Sequence, residues 1–224
     1  MNNLDKYLNN NSEKRPEESE ISLDPEIISF ESVNYPFILK SIKKPPETLY
    51  AIGNVSLLNK PSVAIVGTRN PSKEGISAAT EIAKIYGKHG LTIASGLANG
   101  VDSIAMESAL KAKTSVIGVL PSSLDNIVPK QNKPLAEKIL KKNGLLISEY
   151  PEGTKLQKYH YIKRNRIISG IAMLIIVVET AIEGGTMHTV NFAKDQKRPI
   201  LVVDLPTEGN QKLIVESSPV LKLI

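Results

Sequence analysis

Between residues 62 and 203, short apolar, β-branched runs alternate with stretches of helical spacing, and this alternation leaves few folds open. Residues 63–66 form such a run ending at Gly67, which predicts a buried strand. After Pro71 and Ser72, the residues Ile76, Ala79, Ala83 and Tyr86 share one helical face, closed by Gly90. Residues 91–94 predict a second strand running into Ser95 and Gly96, and 99–111 a second helix with Ile104, Ala105, Ser108 and Ala109 inward. A third strand at 114–119 leads into an irregular loop, and Pro134 suits the first turn of a helix carrying Leu135, Ala136, Ile139 and Leu140. A fourth strand at 145–147, a loop, a basic helix, a strand at 173–178, a helix from about 186 to 196 and a strand at 199–203 complete the series. Parallel strands need long crossovers, usually helical, so the pattern predicts an α/β chain with a doubly wound, mostly parallel sheet.

The ends read differently. Residues 1–26 are polar, without an apolar period, and predict a mobile N-terminal segment. Residues 27–61 alternate short apolar clusters with prolines and read as a lead-in packing on the core, with an edge strand among its possible contributions. Residues 62–224 form the main domain. At 224 residues the chain can bury a substantial core, and 41% hydrophobic with 23% charged residues is ordinary for a soluble protein. Cysteine is absent, which excludes disulfides, thiolate metal sites and cysteine nucleophiles and leans toward a reducing compartment. The polar start does not resemble a signal peptide, and the longest apolar stretch, 167–178, is broken by Ser169 and Gly170. The expectation is a soluble, cytoplasmic protein without membrane contact.

A net charge of +5 leans toward an anionic partner. Lysines outnumber arginines 23 to 5, yet three of the arginines, Arg69, Arg164 and Arg166, lie beside glycine loops. A planar guanidinium offers paired donors to phosphate that lysine cannot. Three loops fall where strands should hand over to helices: Gly67-Thr68-Arg69, the stretch from Ser95-Gly96 to Gly100, and Gly184-Gly185-Thr186. In an open parallel sheet all three lie at the carboxyl edge, where ligands bind. Their backbone N–H groups and helix N-termini suit an anion. The basic cluster Lys163-Arg164-Asn165-Arg166, preceded by Tyr161, would add charge and a stacking surface. There is neither a P-loop signature nor a G-x-G-x-x-G after the first strand, and His89, His160 and His188 lack metal-ligand spacing. His89 reads as a helix-end residue, while His188 lies near enough to the third loop to touch a ligand. Asp102 reads as orienting the second loop and Glu179 as fixing loop backbone. No serine sits in a nucleophile elbow. No catalytic residue, metal or cofactor is expected.

At these loops the sequence resembles the DprA/Smf family of DNA-processing proteins, from about residue 35 to 213. The resemblance is carried by PPETLYAIGN, VAIVGTRNPSKEG, ASGLANGVDSIAMESAL, SEYPEGTKLQKYHYIKRNRII, VVETAIEGGTMHTVNFA and TEGNQKLI. It implies an extended Rossmann-like fold, single-stranded DNA binding, loading of a RecA-type recombinase in DNA processing or natural transformation, a homodimer and no enzymatic activity. Matched position by position, it implies DNA contacts at Gly67, Thr68, Arg69, Ser95, Gly96, Tyr161, Lys163, Arg164, Asn165, Arg166, Gly184, Gly185 and Thr186. The chain departs from the family's usual residues at Met106, Ser122-Ser123, Ile162 and Gly185, and the expectation is a core without the helical and winged-helix domains often found flanking it. Two other readings stand beside it. One is a nucleotide sensor or LOG-like phosphoribohydrolase, although Thr189 stands where those enzymes carry a Glu. The other is a degenerate interaction scaffold.

Overall fold

The computed structural model describes residues 25–216 and 218–222, so the N-terminal expectation for 1–24 lies outside the described residues. One nine-stranded sheet runs through the molecule. Its strands are β1 (Glu26–Ser29), β2 (Thr48–Gly53), β3 (Ser62–Val66), β4 (Thr92–Ser95), β5 (Val116–Val119), β6 (Leu145–Ser148), β7 (Leu174–Val177), β8 (Ile200–Val203) and β9 (Val220–Leu221). The order is β1-β2-β6-β5-β4-β3-β7-β8-β9, with every pairing from β6 to β9 parallel. From β3 the chain winds outward through β4, β5 and β6, then returns to place β7 on the other side of β3. That reversal opens a crevice at the carboxyl ends of β3 and β7.

The central strands are apolar on both faces because both faces are covered: β3, β4, β5 and β6 are buried at every residue. Helices α2 (Lys73–Lys88), α3 (Val101–Lys111) and α4 (Lys133–Lys141) pack on one face. The short α1 (Phe37–Lys40), α5 (Lys158–Ile171), α6 (Gly185–Asp195) and α7 (Glu208–Val215) cover the other. Local signals hold at the helix ends. The Ser72 hydroxyl accepts the Gly75 N–H at 3.0 Å as an N-cap, Pro134 occupies the first turn of α4, and His89 is the C-cap of α2.

Two details differ from the sequence reading. Helix α2 turns Gly75, Ala78, Ala79, Ile82 and Ala83 inward and leaves Ile76 44% exposed. The face is set by small residues that allow close approach to α3. The lead-in supplies two antiparallel strands, with β1 on β2 and β2 on β6 in the register Tyr50↔Ser148 to Gly53↔Leu145. Strand β2 thereby extends the carboxyl edge of the sheet beyond β6.

Candidate functional site

Helix α5 decides where the basic cluster points. At 100° per residue, Tyr161, Arg164, Asn165 and Ile168 form one stripe, while Tyr159, Ile162, Lys163 and Arg166 form another. Arg164 and Arg166, two residues apart, leave the helix in different directions. The first stripe faces a cavity of about 430 Å³ at the switch point. Across it lie Gly67, Thr68 and Arg69 of the first loop and Gly184, Gly185 and Thr186 of the third.

Arg164 forms one wall and is only 5% exposed. Its Nη1 donates to the carbonyls of Gly96, at 2.5 Å, and Val119, and its Nε donates to Asn165 Oδ1 at 3.2 Å. Nη2 has no acceptor among the described residues. Burial pushes the Arg164 pKa down to about 10, against which the charge of nearby Asp102 works, so the guanidinium stays charged at neutral pH. Burial raises the Asp102 pKa, with the Arg164 charge opposing it. The Asp102 Oδ2 accepts the N–H groups of Gly96 at 3.0 Å and Ala98 at 3.4 Å, so this carboxylate holds the second loop in shape. The same loop carries Leu97 at φ 56°, fully buried, with its carbonyl held by Asn132 Nδ2 at 2.8 Å. A left-handed non-glycine residue is strained by about 1 kcal/mol or more, and persists only where its surroundings over-determine it. Gly96 must be glycine for Arg164 to sit here, since a Cβ would lie 2.7 Å from the guanidinium.

Arg69 is the exposed cation of the cavity, its guanidinium 5.8 Å from the centre of the Tyr161 ring. The first loop is tied to the third at their bases, because the Thr68 N–H donates to the Glu179 carbonyl at 2.7 Å. The Glu179 carboxylate accepts from the Ser72 N–H and hydroxyl, both at 2.9 Å, which locks the end of β7 to the start of α2. Gly184 is the N-cap of α6, so the first N–H groups of that helix open toward the cavity. Thr186 is 8% exposed, and its hydroxyl has no hydrogen bond among the described residues. Asn165 Nδ2 reaches the Gly185 carbonyl at 3.3 Å and bridges α5 to this loop.

The second stripe of α5, apart from Ile162 at its border, lies elsewhere. Arg166, 7% exposed, grips Glu149 with two parallel bonds of 3.0 and 2.8 Å and donates to the Lys44 and Lys163 carbonyls at 2.9 and 3.1 Å. Lys163 Nζ reaches the same carboxylate at 3.1 Å. Neither side chain lines the cavity. Gly67, Thr68, Arg69, Tyr161, Arg164, Asn165, Gly184, Gly185 and Thr186 do line it. Gly96 borders an adjoining hollow shared with Arg69, Tyr161 and Arg164. Ser95 is fully buried, and its hydroxyl donates across the sheet to the Ile65 carbonyl at 2.7 Å.

Sequence reasoning assigned no ligand contact to Thr180 or Thr189, which line the cavity, or any role to Asn210, which holds the backbone of Thr180. His188, singled out by position, lines it as well. Asn210, fully buried, accepts the Thr180 N–H at 2.8 Å and donates to the Val178 and Val203 carbonyls, both at 2.8 Å. Its signal was its place inside TEGNQKLI, a segment with no apolar pattern to require it. Among the described residues no helix is long and apolar enough to cross a membrane, and no group of three His, Cys, Asp or Glu is placed to hold a metal.

The family model described as DNA recombination-mediator protein A matches residues 26–222. The DNA processing protein DprA of Bacillus subtilis (strain 168) is 40% identical over 177 residues, which cover 79% of this chain and 59% of that protein. The chain therefore spans less than two thirds of this relative's length. The X-ray structure of DNA processing protein A from Streptococcus pneumoniae superposes with a TM-score of 0.83 at 32% identity, covering 88% of this chain and 71% of that one. DNA processing protein A from Helicobacter pylori, in a structure concerned with its single-stranded DNA binding mode, gives 0.79 at 30% identity, covering 88% and 90%.

Proposed function

The chain belongs to the DNA recombination-mediator protein A family, and we propose that it captures single-stranded DNA, without regard to base sequence, in the cavity beside α5. One observation carries the reading. The stripe of Tyr161, Arg164 and Asn165 faces the opened N-terminus of α6, with exposed Arg69 poised over the Tyr161 ring. Phosphates sit on the N–H groups of the third loop and on Arg69, and a base stacks on the tyrosine, whose face accepts any base. The binding mode reported for the Helicobacter pylori relative supports the same ligand class.

The role is binding without catalysis. The acid at the cavity wall, Asp102, is committed to the N–H groups of the second loop, and Thr189 presents no carboxylate where a nucleotide hydrolase of this type would need one. The family likeness extends the proposal to hand-off of the strand to a RecA-type recombinase by a homodimer, in the cytoplasm. Sedimentation velocity and RecA filament assembly on coated DNA test those parts; a monomer, or assembly unchanged by this protein, would remove them.

Fluorescence anisotropy with a labelled oligothymidylate tests the binding itself. The logarithm of affinity falls linearly with the logarithm of salt concentration, by about 0.7 per phosphate contacted. Arg69→Ala weakens binding to all sequences alike and lowers that slope by roughly one such step. Salt-independent affinity, a preference for duplex, or an Arg69→Ala protein that binds like wild type would overturn the reading.

A further inference from the structure

A second concavity, about 810 Å³, lies on the other side of α5, and nothing in the proposed site uses it. Its floor is the second α5 stripe, Tyr159, Ile162, Lys163 and Arg166, and its rim is formed by residues 44–48 and Glu149 at the end of β6. Ile162, 42% exposed, lines both concavities and is the ridge between them. The first cavity has the volume of a single small ligand. A strand seated there must leave it, and the ridge opens directly into the second concavity.

The second concavity suits a nucleotide chemically. The Tyr159 ring is 59% exposed and stands edge-on to buried His160, which fixes it as a platform. Lys44 is exposed, without an ion pair among the described residues. Glu149 would repel a phosphate if free, but Arg166 and Lys163 both engage it. Glu47 on the rim is the remaining acid.

We infer that this concavity is a second nucleotide subsite, in which the base following the one on Tyr161 crosses Ile162 and stacks on Tyr159, with its phosphate on Lys44. The inference rests on the single-strand reading above and extends it to the path of the strand: α5 is a two-sided rail, with one aromatic ring for each side.

Labelled oligothymidylates from about 4 to about 16 nucleotides, the span of sites that single-strand binders use, test it by anisotropy. Wild-type affinity rises stepwise once the oligomer is long enough to cross the ridge. Tyr159→Ala removes that step, about five-fold, the lower end of what a stacked base contributes, and leaves the shortest binding oligomer unaffected. Tyr159→Phe retains the step. Lys44→Ala, at an exposed position away from the core, lowers the salt slope for long oligomers by about 0.7 and leaves short ones unchanged. Tyr159→Ala and Lys44→Ala proteins that bind long oligomers like wild type would overturn the second subsite while leaving the first intact, as a site for a protein partner would require. Equal loss at every length would overturn it too. Failure of wild type to bind any oligomer would remove the single-strand reading itself.

Discussion

Arg166 offers the sharpest test of how the basic cluster divides its work. Its guanidinium and the Glu149 carboxylate are 8% and 6% exposed and joined by two parallel bonds. Arg166→Ala leaves a buried carboxylate whose remaining cation is Lys163, itself 46% exposed and at 3.1 Å. A half-exposed pair contributes no more than about 1 kcal/mol, whereas breaking a buried one destabilises by about 3–5 kcal/mol. The Arg166 bonds to the Lys44 and Lys163 carbonyls vanish as well. With a urea dependence of about 2–3 kcal/mol per molar, the unfolding midpoint should fall by roughly 1–2 M. Glu149→Leu combined with Arg166→Met should recover most of the loss, because an apolar pair leaves no charge stranded. The folded fraction of Arg166→Ala should bind a short oligothymidylate like wild type, since this arginine does not line the first cavity. Arg69→Ala should show the converse, normal stability and weakened binding. An Arg166→Ala midpoint equal to wild type, together with an affinity loss matching that of Arg69→Ala, would refute the division.

Gly96→Ala drives a Cβ to 2.7 Å from the Arg164 guanidinium, so the arginine must leave the Gly96 and Val119 carbonyls. The expected result is a loss of about 1–3 kcal/mol in urea unfolding together with weaker oligonucleotide binding, and a variant with both at wild-type level would contradict the role given to Arg164. His160 is 2% exposed, stacked on Tyr150 at 4.0 Å, and its Nδ1 has no partner among the described residues. Burial first, then the Lys163 charge, push its pKa below the ordinary value, with Glu149 opposing. Below pH about 6.5 the unfolded chain takes up a proton that the native state resists, so stability falls as pH drops through that range and is insensitive to it above. His160→Phe should flatten the acid limb of the urea midpoint; an unchanged limb would assign it to another group.

Much of the architecture is legible in the sequence. Runs such as 63–66 and 145–147 are apolar at every position because parallel strands are covered on both faces, and that demand is written locally. The glycine loops were legible for the same reason, since the chemistry of a strand-to-helix turn is local. The pairings of β1 and β2 were not. Short apolar clusters separated by prolines carry no period; the register of β2 comes from β6, about a hundred residues further on, and β1 takes its register from β2. Asn210 showed only as part of TEGNQKLI, and its role was not legible, because its value lies in three backbone groups near the ends of two other strands.

The basic cluster on α5 shows where the boundary falls. The sequence by itself determined that Lys163, Arg164 and Arg166 lie on one helix next to glycine loops, and helical arithmetic already separates Arg164 from Arg166. What only the tertiary structure decided is which charge is left for a ligand. Glu149, at the end of β6, takes Arg166 and Lys163. The Gly96 and Val119 carbonyls take one arm of Arg164, and Arg69 remains exposed over Tyr161. A buried cation must find acceptors wherever the fold supplies them, and those acceptors lie on strands far apart in the chain.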